Sequence, residues 1–266
     1  MRQFGYSLAE SFDPCSANGG NNVLRQMHLA RYLWAANILK HEKSKIILDA
    51  ACGRGYGTNM LSQVGRVIGV DIFEEAASYA HNKYGNANTD FLIADMESDD
   101  FLKLASIDAV VSFETLEHLQ NPEKALANFH QALKHDGVLL LSTPNGLTER
   151  KNAEGQPHTC YHIQSYSPAR LQSLVSEAGF RDIKIYGQGP IYGLLMKYIR
   201  KGLNIFGNKN GIPSAYNSQN AKTKIHKKIK KIRDFAVDLT GTIDAFTKPR
   251  TSVVSTADNL LLMGRK

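Results

Sequence analysis

Glu114, Glu117 and His118 place three ionisable side chains within five positions of one another, and His158 and His162 follow further along the chain. Two carboxylates and two imidazoles form the donor set of an octahedral oxygen and nitrogen site, the kind that suits Mg²⁺ or Mn²⁺. If a helical turn starts at this point, Glu114 and His118 share a face and Glu117 lies beside them. A second chemistry needs no metal. An imidazole with an ordinary pKa of about 6.5 suits removal of a proton from a hydroxyl, with His118 as general base. A third reading is structural, with the Glu-His pair holding its loop by hydrogen bonds. The sequence leaves these three open.

The elements that must position these groups read as strands alternating with helices. Ile46 to Asp49 is an apolar run that ends on an acid, and Ala50-Ala51-Cys52-Gly53-Arg54-Gly55-Tyr56-Gly57-Thr58 follows at once. Buried strands read as such runs, and glycines where the strand stops let the backbone approach a ligand closely. Val67 to Ile72 is a second run, closing on Asp71, and Phe91 to Met96 a third, closing on Asp95. Ala109 to Phe113 and Val138 to Asn145 are the fourth and fifth. Arg181 to Gly187 and Asn259 to Arg265 supply a sixth and a seventh. Helix formers occupy Glu74 to Lys83, Asn121 to Lys134 and Pro168 to Ala178, with Asn121-Pro122 as a start signal and Gly179 as a stop. Strand alternating with helix predicts a parallel sheet covered on both faces, with ligands outside the carboxyl ends of the strands, where the acids lie.

A glycine loop after a strand also fits a dinucleotide site. Gly53 and Gly55 take the first two positions of that fingerprint, but Thr58 stands where the third small residue belongs. The Leu48-Asp49-Ala50-Ala51-Cys52-Gly53-Arg54-Gly55 stretch instead resembles motif I of the class I S-adenosylmethionine-dependent methyltransferases. That resemblance implies an α/β, Rossmann-like, seven-stranded, mostly parallel sheet with helices on both faces and the last strand antiparallel. It implies S-adenosylmethionine as cofactor, held by Asp49, Ala51, Cys52, Gly53, Gly55, Asp71, Ile72, Asp95, Met96 and Phe113. Asp71 would take the ribose hydroxyls, Asp95 would lie near the adenine amino group, and Met96 would pack on the ring. Glu-x-x-Glu-His with a later histidine resembles the metal site of the small-RNA 3′-end 2′-O-methyltransferases and of the quinone-pathway O-methyltransferases. It implies Glu114, Glu117, His118 and His162 as ligands, with His118 and Glu114 catalytic. His162 is preferred to His158 because it stands shortly before the helix opening at Ser167-Pro168, as the family's last ligand does.

Outside this core, Phe4 to Asn22 is rich in Ser, Asn and Gly and reads as a loop, and 23–40 as a helix. His28 to Ala35 resembles the equivalent stretch of methyltransferases associated with bacterial surface polysaccharide synthesis, where such a helix closes over the cofactor as a lid. For Trp34 packing is the simpler role, and for Tyr32 both packing and ligand contact stay open. The net charge of +7 is concentrated. Lys197 to Arg233 holds eleven Lys or Arg and no Asp or Glu, so the rest of the chain is mildly acidic. Ile225, Ile229, Ile232, Ala236 and Leu239 recur at helical steps there, which predicts an amphipathic basic helix within an insertion at about 190–256. The expected organisation is therefore one domain over 1–266 carrying that insertion.

The odd count of three cysteines, Cys15, Cys52 and Cys160, without metal spacing, indicates a reduced compartment. No apolar run reaches the length of a spanning helix and no signal-peptide core is visible, so the expectation is a cytoplasmic protein, peripheral to the inner face of the membrane. The anionic partner of the arm is expected to be a membrane surface or a phosphorylated glycan. Nucleic acid is a weaker fit, because few aromatics interleave the lysines. The expected function is O-methylation of a hydroxyl on a small-molecule, sugar or glycan-like acceptor. The alternatives are an RNA ribose 2′-O-methyltransferase and a non-catalytic S-adenosylmethionine-binding module.

Overall fold

A computed structural model describes residues 22–41, 46–101, 106–149, 152, 155, 161–189, 254 and 257–266. Seven strands form one sheet: β1 (Ile46–Ala50), β2 (Arg66–Asp71), β3 (Thr89–Ile93), β4 (Ile107–Phe113), β5 (Leu133–Pro144), β6 (Arg181–Gln188) and β7 (Asn259–Arg265). Their order is β3-β2-β1-β4-β5-β7-β6. The first five pair in parallel, whereas β7 runs antiparallel to both β5 and β6. The helices are α1 (Asn22–Leu39), α2 (Tyr56–Leu61), α3 (Glu74–Tyr84), α4 (Pro122–Ala132) and α5 (Pro168–Glu177), with one 3₁₀ turn at Leu116–His118.

Period-two alternation sorts the strands onto two cores. Ile47, Val67, Ala109, Val111, Phe113, Val138 and Leu140 face one side and pack with Tyr32, Ala35 and Leu39 of α1 and with Tyr56 and Leu61 of α2. Leu48, Ala50, Val70, Val110, Leu139 and Leu141 face the other, against Leu126 and Phe129 of α4 and Leu171 and Val175 of α5. Each large side chain fully removed from water stabilises the fold by about 1.5–3 kcal/mol relative to exposure. Helices therefore cover both faces and leave the carboxyl ends of the strands as the working edge. The chain goes outward from β1 to β3 and returns to the other flank of β1 with β4. That reversal is the crevice where open α/β sheets bind ligands.

Two boundaries differ from the sequence expectation. The helix read as far as Lys134 stops at Ala132, because Leu133 is extended and pairs with Ile107 to open β5. A good helix-forming Ala-Leu-Lys run yields there to sheet pairing. The third strand ends at Ile93, so Asp95 lies beyond it on a loop. The chain also divides into two units, Met1–Gly189 with Lys248–Lys266, and Pro190–Thr247. The second unit lies outside the described residues, as do the N-terminal loop up to residue 21, Cys15, Cys160, His158 and the basic stretch from Lys197 to Arg233. Among the described residues no helix is long and apolar enough to cross a membrane.

Candidate active site

The loop after β1 is shaped by close approach. A β-carbon at Gly55 would meet the Ala80 β-carbon at 2.6 Å and the Phe91 ring at 2.8 Å, and one at Gly57 would meet the Tyr32 ring at 2.0 Å. Gly55 also has a φ of +78°, and Ala51 adopts a left-handed φ of +61° without being glycine. Tyr32 thus lies directly on the loop. Its hydroxyl donates to Asp49 Oδ1 at 3.1 Å, and Thr58 Oγ1 donates to Asp49 Oδ2 at 2.7 Å. Thr58, which breaks the dinucleotide fingerprint, is therefore a partner for the acid at the end of β1. Asp49 is wholly buried, and burial pushes its pKa up to about 7.

Asp71, at the end of β2, accepts the Gly53 N–H at 2.8 Å and the Phe73 N–H at 3.0 Å on its two oxygens. A carboxylate oxygen takes more than one hydrogen bond, so lone pairs remain for hydroxyls. Burial raises its pKa, while those backbone donors oppose the rise. Beside it, Ile72 and Phe73 are exposed, at 54% and 41%. Asp95 is exposed and folds onto its own loop, accepting the Glu97 N–H at 2.8 Å. Met96 and Cys52 are buried, and Met96 joins the core on the α4 side. Phe113 packs edge-on against Tyr32 at 5.0 Å. Trp34 packs against Tyr186 at 5.5 Å, as a packing role requires.

On the β4 and β5 side the expected foursome divides. Glu114 does not share a helical face with His118. It precedes the 3₁₀ turn at a φ of +53°, with its N–H donating to Ser142 O at 3.0 Å. Its carboxylate accepts the Ser142 hydroxyl at 2.8 Å and lies 3.4 Å from Arg31 Nη1. Arg31 is only 1% exposed. Its Nε donates to Gln188 Oε1 at 2.8 Å, but among the described residues Nη1 and Nη2 find no hydrogen-bond partner. A buried guanidinium with two unmatched amino groups is costly unless an oxyanion completes it.

Glu117, His118 and His162 do converge, each offering one ligand atom within 4.8 Å of the others. Glu117 is buried and accepts the Thr143 hydroxyl at 3.0 Å. Burial first, then the neighbouring Glu114 carboxylate, push its pKa well up. His118 Nδ1 donates to the Tyr161 carbonyl at 2.9 Å, and its Nε2 lies 3.8 Å from Glu117 Oε1. Burial lowers the His118 pKa, which keeps the ring neutral with a lone pair on Nε2. His162 Nδ1 contacts Glu149 Oε1 at 2.6 Å. An imidazole tied through Nδ1 to a carboxylate, as His162 is, has the arrangement of a metal-binding histidine.

Arg31 and Glu149 are functional candidates that the motifs did not single out, whereas for Tyr32 the sequence leaves packing and ligand contact open. For Arg31 a signal existed. Met27, Arg31, Ala35 and Leu39 are all buried at four-residue steps along α1, and a charge on that stripe is out of place unless it has work to do. For Glu149 there was none, since no periodicity marks its segment.

Comparison with known proteins agrees with this geometry. Residues 23–185 match the family described as methyltransferase domain. A probable S-adenosylmethionine-dependent methyltransferase of Mycobacterium tuberculosis is 32% identical over 148 residues, covering 54% of this chain and 52% of that protein. The chain thus spans about half the length of that relative. A ubiquinone biosynthesis O-methyltransferase of Glaesserella parasuis is 29% identical over 108 residues, covering 38% and 46% of the two chains. In fold, phosphoethanolamine N-methyltransferase 2 of Haemonchus contortus, solved with S-adenosyl-L-methionine, superposes with a TM-score of 0.58 at 17% identity. That match covers 89% of this chain and 52% of the nematode protein. With more than half of its length inside the matched region, and with the loop, acids and strand order described above, the chain belongs to the methyltransferase domain family.

Proposed function

We propose that this chain is an S-adenosylmethionine-dependent O-methyltransferase acting on a hydroxyl of a sugar or glycan-like acceptor, with a divalent cation held by Glu117, His118 and His162. The observation that carries this reading is the convergence of those three ligand atoms at the carboxyl edge of the sheet that also carries the glycine loop. The loop, Asp71 and the exposed Ile72 and Phe73 suit a nucleoside with vicinal hydroxyls and an apolar base. Arg31, with its unmatched amino groups, suits the carboxylate at the amino-acid end of the same donor.

When bound, the donor would supply a methyl group on a sulfonium, and the cation would supply Lewis acidity that lowers a hydroxyl pKa. What the chain's own residues contribute is position and proton handling. Tyr32 and Phe113 pack edge to face at 5.0 Å, an apolar contact next to the glycine loop that would help keep water from the line of displacement. Glu114, locked by Ser142, orients Arg31. His118 Nε2 either ligates or, without a cation, accepts the hydroxyl proton. The basic stretch from Lys197 to Arg233 belongs in this reading to an anionic partner, a membrane surface or phosphorylated glycan, met from the cytoplasmic side.

Methyl-labelled S-adenosylmethionine, incubated with the protein and a fractionated cell extract with and without EDTA, tests the reading. Label in a glycan or lipid fraction that is lost with EDTA is the expected result. Label that survives EDTA removes the cation and leaves His118 as base. Label in RNA replaces the acceptor with a ribose, and donor binding without any labelled product makes the chain a binding module.

A further inference from the structure

Glu149 belongs to no motif, yet the local structure is built to hold it. It follows β5 on a turn whose backbone is fixed at Asn145, which accepts the Glu149 N–H at 2.8 Å. Asn145 is fully buried, and its amide donates to the carbonyls of Val254 at 3.0 Å and Ala257 at 2.9 Å, just ahead of β7. The Glu149 side chain is 10% exposed. One carboxylate oxygen contacts His162 Nδ1 at 2.6 Å, and the other accepts the Ser165 hydroxyl at 3.1 Å. Both oxygens are thus directed, and the ring that Oε1 reaches is the member of the cluster that comes from a loop. His162 and His118 stand edge to face with centroids 5.0 Å apart, so rotation of one ring disturbs the other.

We infer that Glu149 is a positioning residue: it holds His162 with its proton on Nδ1, leaving Nε2 as the nitrogen that offers a lone pair to the site shared with Glu117 and His118. A carboxylate accepts hydrogen bonds and donates none when ionised, so it selects this tautomer. The inference rests on the reading that the cluster serves acceptor chemistry. It holds whether that lone pair meets a cation or a proton. His118 is fixed in the same sense by the Tyr161 carbonyl, so the two rings are oriented by different means, one by a neutral dipole and one by a charge.

The test uses the full chain labelled with ¹⁵N-histidine, and compares wild type, E149A, E149D and E149Q. Ring ¹⁵N shifts report the His162 tautomer, Mn²⁺ titration followed by electron paramagnetic resonance reports the cluster, and S-adenosylhomocysteine affinity reports the intact donor side. Wild type is expected to show the Nδ1-protonated form. E149A is expected to lose that form and to bind Mn²⁺ about 10–100-fold more weakly, with the affinity for S-adenosylhomocysteine unchanged. E149D should restore most of both signals, and E149Q should keep the tautomer while weakening Mn²⁺. An unchanged His162 spectrum in E149A overturns the inference, as does a Mn²⁺ affinity equal to wild type. If wild type itself binds no Mn²⁺, the cation in the proposed function fails, and the tautomer shift still decides the role of Glu149.

Discussion

On the β1 and β2 side of the carboxyl edge, Asp49 and Asp71 each have both oxygens occupied from within the protein, by Tyr32 and Thr58 in one case and by Gly53 and Phe73 in the other. On the β4 and β5 side, Arg31 holds two amino nitrogens without hydrogen-bond partners among the described residues, Glu114 sits in a left-handed backbone, and Glu117 stands 3.8 Å from His118 rather than at hydrogen-bond distance. Internally satisfied networks are rigid, whereas incompletely matched buried charges wait for a ligand to complete them. The β1 and β2 side is thus a finished mould. The β4 and β5 side is an unfinished circuit whose missing members would arrive with the ligands.

Four substitutions break or sharpen that contrast, in descending order of effect. H118A should lower methyl transfer to the labelled fraction by about 10²–10⁴-fold while S-adenosylhomocysteine affinity stays within about twofold. Retained turnover would show that the acceptor side does its work elsewhere. D71A should weaken S-adenosylhomocysteine binding by about 100-fold in calorimetry, because hydrogen bonds to a charged group are lost and the loop backbone loses its acceptors. Undiminished affinity would move the donor pocket away from β2. G57A forces a β-carbon into the Tyr32 ring and should cost about 1–3 kcal/mol in thermal unfolding; no loss would mean that α1 shifts freely and the mould is soft.

The fourth effect is the smallest and depends on pH. Asp49 titrates at about 7 in the folded chain, well above its ordinary range. The folded state therefore retains a proton that the unfolded state gives up. The stability this group contributes is complete in acid below its unfolded pKa and is lost as pH rises through about 7. D49N, which still bonds Thr58 and Tyr32, removes that loss, so its melting temperature should gain on wild type between pH 5 and pH 8. Parallel curves would mean that Asp49 keeps an ordinary pKa.

Much of the β1 and β2 side was legible because it is local. A strand that ends on Asp49, a glycine turn, and a second strand that ends on Asp71 are contiguous patterns, and the fold turns those patterns directly into neighbours. The β4 and β5 side is assembled from afar. Arg31 meets Gln188, and Glu149 meets His162 across a stretch with no periodicity. Spacing brought Glu117 and His118 together correctly but also enrolled Glu114, which the left-handed backbone and Ser142 turn toward Arg31. Helix α2 was missed for a related reason. Six residues opening on glycine carry too little pattern to be seen beside the loop they follow.

Helix α1 places Arg31 and Tyr32 at successive positions, one reaching toward Glu114 and the other lying on Gly57 and Asp49. A single rigid turn of backbone is therefore a lever with an arm in each half. Any ligand that draws Arg31 also pulls on the ring that closes the glycine loop, and thermodynamic linkage makes the influence mutual. On the proposed function, a ligand seated on Arg31 and one seated on the glycine loop would therefore bind in concert rather than independently.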